Sequence, residues 1–144
     1  MAILRGPDHY ASVEDQLAAL RPGGRRDSAI CRILHETIPT YSWVGIYRQT
    51  ADEMALAAWS GVGPANLLRL PSSDSRESRE ENNVRAHAQT GRFLAAARAE
   101  TQIPFAGTDG AGVLAVASEH RGAFGPADRD LLRLVVALLE DRDR

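Results

Sequence analysis

The sequence predicts an α+β domain: a central antiparallel sheet of five to six strands, with helices from the N- and C-terminal ends of the chain packed on one face. Three observations carry that prediction. Apolar residues recur at helical spacing before Pro39 and again after Pro126, and between those points the period drops to two. The strand-like stretches are joined by short polar or glycine-bearing connections, which suit hairpins rather than crossover helices. At 144 residues the chain has the size of one domain, able to bury roughly 70% of the surface its unfolded form exposes.

Tyr10, Val13, Leu17 and Leu20 place one narrow apolar stripe on a first helix, which ends before Pro22-Gly23-Gly24. A second helix runs from about Arg25, with Ile30, Ile33, Leu34 and Ile38 on one face, and stops at Pro39. "YSWVGIYRQ" then alternates as a strand, with Trp43, Gly45 and Tyr47 on one side and Val44 and Ile46 on the other. "EMALAAWSG" is its hairpin partner across the polar "QTAD".

"NLLRLP" reads as a short third strand. "SSDSRESREEN" reads as a solvated polar segment, and Ser78 with Glu81 resembles a capping box that opens a short helix over "NVRAHAQTG". Phe93 to Ala96 and Thr101 to Ala106 are expected as short strands, with only Ala97 to Ala99 as a turn between them. "GAGVLAVASE" is a longer strand after the turn "GTDG". Gly125 and Pro126 open the last helix, Asp128 and Asp130 suit its first turns, and Leu131, Leu132, Leu134, Val135, Val136, Leu138 and Leu139 make its apolar face. That face is wider than packing on one sheet requires, and with the narrow stripe of the first helix it predicts a homodimer.

Composition excludes several classes. A formal charge of −2 supplies no positive excess for nucleic acid, and all 17 basic residues are Arg. Cys31 is the one cysteine, so no intrachain disulfide can form. "MAILRGPDH" lacks the apolar region of a signal peptide and "LLRLVVALL" is too short to span a membrane, so the expectation is a cytoplasmic protein with no membrane partner.

The order of elements, together with "YSWVGIY" and its hairpin partner, "ETQIPF" with "GAGVLAVAS", and "AFGPADRDLLRLVVALL", resembles a GAF domain from about Ser28 onward. The resemblance implies one GAF-like domain over residues 1–144, with residues 1–24 as a dimerisation helix and 25–144 as the GAF core. It also implies a ligand pocket on the sheet face opposite the helices. Among proteins of this size the chain is similar to the free methionine-R-sulfoxide reductases, whose site residues match Trp43, Tyr47 and Glu100.

The reductase cysteines do not follow. None stands in "VGPAN", in "NVRAHA" or between Phe93 and Glu100, so the thiolate that would attack sulfur and the thiol that would resolve the intermediate are both missing. Two aspartates of that family's "G-V-L-D-x-D-S" strand correspond to Ala115 and Ala117 here. The stretch between the strands Phe93 to Ala96 and Thr101 to Phe105 is also much shorter than the lid of those relatives. The cyclic-nucleotide pattern of other GAF domains is absent beyond a generic Phe124 and Asp128.

The expected ligand-binding residues are Trp43, Tyr47, Trp59 and Glu100, with Ala115 and Ala117 beside Ala55 and Ala57 as small apolar walls. Against that stands the plainer reading of core aromatics and an exposed strand-end carboxylate. Cys31 reads as a packed structural thiol, and His87 lacks a second ligand at metal-binding spacing. Ser118, Glu119 and His120 are consecutive on a strand and cannot converge as a triad. The clusters at "RPGGRR" with Arg5, and at Arg76, Arg79 and Arg85, read as solvated faces.

The resulting expectation is a non-catalytic sensory or interaction module for signal transduction. It would bind a small apolar or aromatic ligand, need no cofactor or metal, and signal through a partner protein. A diverged reductase-type enzyme and a structural dimer with a collapsed pocket stay open.

Overall fold

The computed structural model describes residues 7–21, 26–50, 53–61, 69–71, 79–81, 99–107, 110–120 and 122–140. Three helices, α1 (Pro7–Ala18), α2 (Arg26–Thr37) and α3 (Pro126–Glu140), pack with an antiparallel sheet. Its body is four long strands: β1 (Trp43–Thr50), β2 (Glu53–Gly61), β5 (Ala99–Gly107) and β6 (Gly110–Ser118). Three-residue strands β3 (Arg69–Pro71) and β4 (Arg79–Glu81) continue it at the edges, in the order β3-β2-β1-β6-β5-β4. The α+β class and the antiparallel sheet are therefore as the sequence predicts.

The local reasons are visible at each end of the helices. Pro7 occupies the first turn of α1, where its missing N–H costs nothing, and Asp8 and Asp27 put negative charge on the N-terminal dipoles of α1 and α2. Pro39 follows α2 and prevents its continuation. At α3 the Asp128 carboxylate turns back to accept the Gly125 N–H at 2.9 Å, closing a capping interaction on the residue before the helix.

The helix side of the sheet carries the main core. Val44, Ile46, Ala58, Phe105, Leu114 and Val116 meet Ile30, Ile33 and Leu34 of α2 and Leu131, Leu132, Val135 and Leu139 of α3. Cys31 belongs to this layer: its Sγ lies 3.6 Å from the Ala58 carbonyl, and burial, then the Asp27 charge, pushes the thiol far above its ordinary range. At the rim, Arg48 makes a two-pronged ion pair with Asp27 at 2.8 and 2.9 Å while its guanidinium stands 5.1 Å from the Phe105 ring centroid. Arg26 donates to the Leu138 carbonyl near the C-terminus of α3.

Three expectations change. Ala99 is the first residue of β5 and buried, not part of a turn, because it pairs with Ser118 at the end of β6. Arg79 to Glu81 form a strand paired with Gln102, Thr101 and Glu100, where the sequence suggested the approach to a helix. Local polarity is a poor guide for an edge strand, which needs only backbone pairing. Ala55 and Ala57 do not join Ala115 and Ala117, for a reason given below. The expected strand at Phe93 to Ala96, the helix over "NVRAHAQTG" with His87, and Arg5, Arg76 and Arg85 lie outside the described residues.

The apolar stripes are mostly buried within one protomer. Val13 and Leu17 of α1 are 0% and 2% exposed within one protomer, and Leu131, Leu132, Val135, Val136 and Leu139 of α3 are buried as well. The width of α3 is explained by burial against both the sheet and α1, leaving Leu134 exposed and Leu138 half-buried.

Candidate ligand-binding face

The opposite face of the sheet is set by strand register. Residues directly across an antiparallel pair point the same way, so Trp43, Gly45 and Tyr47 of β1 share a face with Ala117, Ala115 and Val113 of β6. Through β6 that face continues to Glu100, Gln102 and Pro104 of β5. Across β2 it meets Trp59, opposite Gly45, and Leu56, opposite Tyr47. All four sequence-predicted site residues, Trp43, Tyr47, Trp59 and Glu100, therefore lie on the face away from the helices.

A β-bulge decides which β2 residues join them. The register slips between Ile46 and Tyr47, so that Ala57 is the extra residue between Ala58, opposite Ile46, and Leu56, opposite Tyr47. Ala55 consequently pairs with Arg48 and faces the helices, and Ala57 stands outside the alternation. The small walls are Ala115 and Ala117 of β6, while β2 contributes Leu56 and Trp59. A bulge leaves no composition signal in "EMALAAWSG", which explains why simple alternation misplaces the alanines.

Within the face, Trp43, Tyr47, Val113, Ala115 and Ala117 form a second apolar cluster, with Leu56 and Ala111 packed against it. The Trp43 and Tyr47 rings stand 6.5 Å apart between centroids, tilted by 49°. Trp43 is 1% exposed and Tyr47 0%, whereas Trp59 is 55% exposed. Burial pushes the Tyr47 phenol well above its ordinary range, so it stays a neutral hydroxyl at any physiological pH.

Glu100 is 3% exposed, which replaces the exposed strand-end carboxylate of the plainer reading. Gln102, not singled out from the sequence, is buried on the same face; its signal was the two-residue spacing from Glu100. The face thus combines two buried aromatic rings, a floor of small side chains, and a buried carboxylate with a neighbouring amide.

Other chemical candidates fall elsewhere. Ser118 is buried, Glu119 and His120 are exposed, and the Ser118 hydroxyl accepts the His120 backbone N–H at 3.0 Å. No group of three or more His, Cys, Asp or Glu side chains among the described residues could hold a metal ion. No described helix is long and apolar enough to cross a membrane.

No family model matches the sequence, and no curated protein matches it. Solved structures do. A protein of Burkholderia vietnamiensis described as a GAF sensor superposes with a TM-score of 0.76 at 18% identity, over 94% of this chain and 93% of its own. The fold is GAF-like. The reduced form of the free methionine-R-sulfoxide reductase of Staphylococcus aureus superposes on this GAF-like domain with a TM-score of 0.77 at 16% identity, over 99% of each chain. The Neisseria meningitidis reductase, solved with its substrate, gives 0.71 at 20% identity over 99% of this chain and 94% of its own. Sensors and enzymes thus share the GAF-like architecture, and identities this low establish the architecture alone.

Proposed function

We propose that this GAF-like domain is a non-catalytic, cytoplasmic sensory or interaction module that binds a small apolar or aromatic molecule and acts through a partner protein. The observation that carries the reading is the convergence of Trp43, Tyr47, Trp59 and Glu100 on the sheet face that the helices leave uncovered. Trp43 and Tyr47 supply aromatic rings, Ala115 and Ala117 keep the side chains beside them small, and Glu100 with Gln102 supplies a polar end. The absence of reductase cysteines from the sequence supports a non-catalytic role, because Cys31 lies in the helix-side core with a thiol held protonated.

Native mass spectrometry of the purified protein, followed by thermal-shift measurements across a metabolite panel, tests this reading. Retained small molecules, or a shift that Trp43→Ala abolishes, support it. Stereospecific turnover of free methionine-R-sulfoxide would overturn the non-catalytic assignment. An unliganded chain with no shift across the panel favours the structural reading. The 1% and 0% exposure of Trp43 and Tyr47 supports that second reading, since it is the packing of a closed core. Homodimerisation through the first and last helices belongs to the proposal too, and the exposed Leu134 one turn from Leu138 supports it.

A further inference from the structure

Asp128 is a junction between three separate parts of the chain. Its buried carboxylate accepts the Tyr41 hydroxyl at 2.7 Å and the Tyr10 hydroxyl at 3.1 Å on Oδ1, and the Gly125 N–H at 2.9 Å on Oδ2. Tyr41 and Gly125 belong to the body of the domain. Tyr10 belongs to α1, more than a hundred residues away in sequence and only half-buried.

We propose that α1 is a strap that leaves and rejoins the body of the domain as a unit, with the Tyr10–Asp128 hydrogen bond as its catch. Release leaves no oxygen of Asp128 stranded, because Tyr41 still serves Oδ1 and Gly125 still serves Oδ2. The freed Tyr10 hydroxyl, already half-buried rather than enclosed, exchanges its partner for water.

Beyond that bond, α1 is held by a narrow apolar seam that the Tyr10 ring joins. Val13 and Leu17 are its buried apolar side chains, and Gln16 bridges to Thr37 at 3.2 Å in an exposed position. α1 packs on α2 and α3, in a layer outside the sheet-facing helices. Its connection to α2 carries the sequence Pro22-Gly23-Gly24, and a 12-residue helix gains little stability of its own in water. Elements held by few buried contacts open at lower free energy than the core they cover.

Native-state hydrogen exchange on the full chain tests the proposal. The amides of residues 11–18 are expected to exchange at least a hundredfold faster than those of residues 43–47 and 113–117. Tyr10→Phe is expected to speed α1 exchange by about a further tenfold while leaving β1 and β6 unchanged. Leu17→Ala provides the same readout through packing instead of the catch. Equal protection of α1 and β6 in the unmodified protein would overturn the strap. Acceleration of α1 by Leu17→Ala but not by Tyr10→Phe would overturn the catch, as would equal acceleration of α1 and β6 by Tyr10→Phe.

Discussion

The indole of Trp43 lies across Gly45, two residues further along the same strand. A Cβ built on Gly45 would stand 2.8 and 2.9 Å from Cζ2 and Cζ3 of the ring and closer still to Cη2. Glycine at this position is what allows Trp43 to lie along the sheet, beside Ala115 and toward Tyr47, instead of standing away from it. Replacing it with any residue that has a Cβ must move the ring.

Gly45→Ala is therefore expected to destabilise the fold by about 1–3 kcal/mol, the usual cost of overpacking a filled site. The change should appear as a lower urea midpoint with an unaltered slope. A shift in tryptophan fluorescence in the native baseline should accompany it, because Trp43 is buried and its ring is the group displaced. An unchanged midpoint would mean that the ring moves without cost.

Asp128→Ala should cost about 2–4 kcal/mol, combining a lost helix cap with a lost acceptor for the buried Tyr41 hydroxyl. Tyr10→Phe should cost much less by global denaturation, since the bond it removes is half-buried and the carboxylate keeps its other donors. The ratio of the two losses, read from denaturant midpoints, checks the assignment of Asp128 as a junction.

Stability is expected to fall at alkaline pH. In the native state burial raises the ionisation of both Cys31 and Tyr47, so the folded protein keeps protons that the unfolded chain releases. A group raised in this way contributes in full below its unfolded pKa and loses that contribution as pH climbs. The decline begins near about pH 8.5 for the thiol and is joined near about pH 10 by the phenol, each at up to about 1.4 kcal/mol per pH unit. Denaturation at pH 8, 9, 10 and 11 measures it. Cys31→Ala should flatten the first part of the curve and Tyr47→Phe the second.

The dimer proposal is tested at Leu134, which is 41% exposed on α3. Light scattering at micromolar concentration is expected to give twice the mass of the 144-residue chain, and Leu134→Glu to return it to the monomer with an unchanged circular dichroism spectrum. A monomeric unmodified protein would remove the dimer from the proposal.

Much of this was legible in the residues themselves, because some patterns depend only on backbone period. The alternation of Trp43, Gly45 and Tyr47 against Val44 and Ile46 assigned opposite faces to them before any partner strand was known. Pro39, Pro126 and Gly125 marked helix ends through proline's missing N–H and the capping geometry at Asp128. These are local effects, and the sequence by itself determined them: the α+β class, the hairpin of β1 and β2, the strand pair β5 and β6, and the closing helix.

Tertiary structure alone decided what those faces meet. Ala57 is displaced from the alternation by a bulge whose origin lies in pairing with β1, so Leu56 and not Ala55 reaches the face of Tyr47. Glu100 is buried on a strand that lies between β6 and β4, a long-range placement that no strand-end carboxylate announces. The apolar stripes of α1 and α3 showed how much surface must be hidden, but hydrophobic burial has no direction, and only the packed structure reveals that one protomer hides most of it. Period is a property of the chain; the identity of the neighbour is a property of the fold.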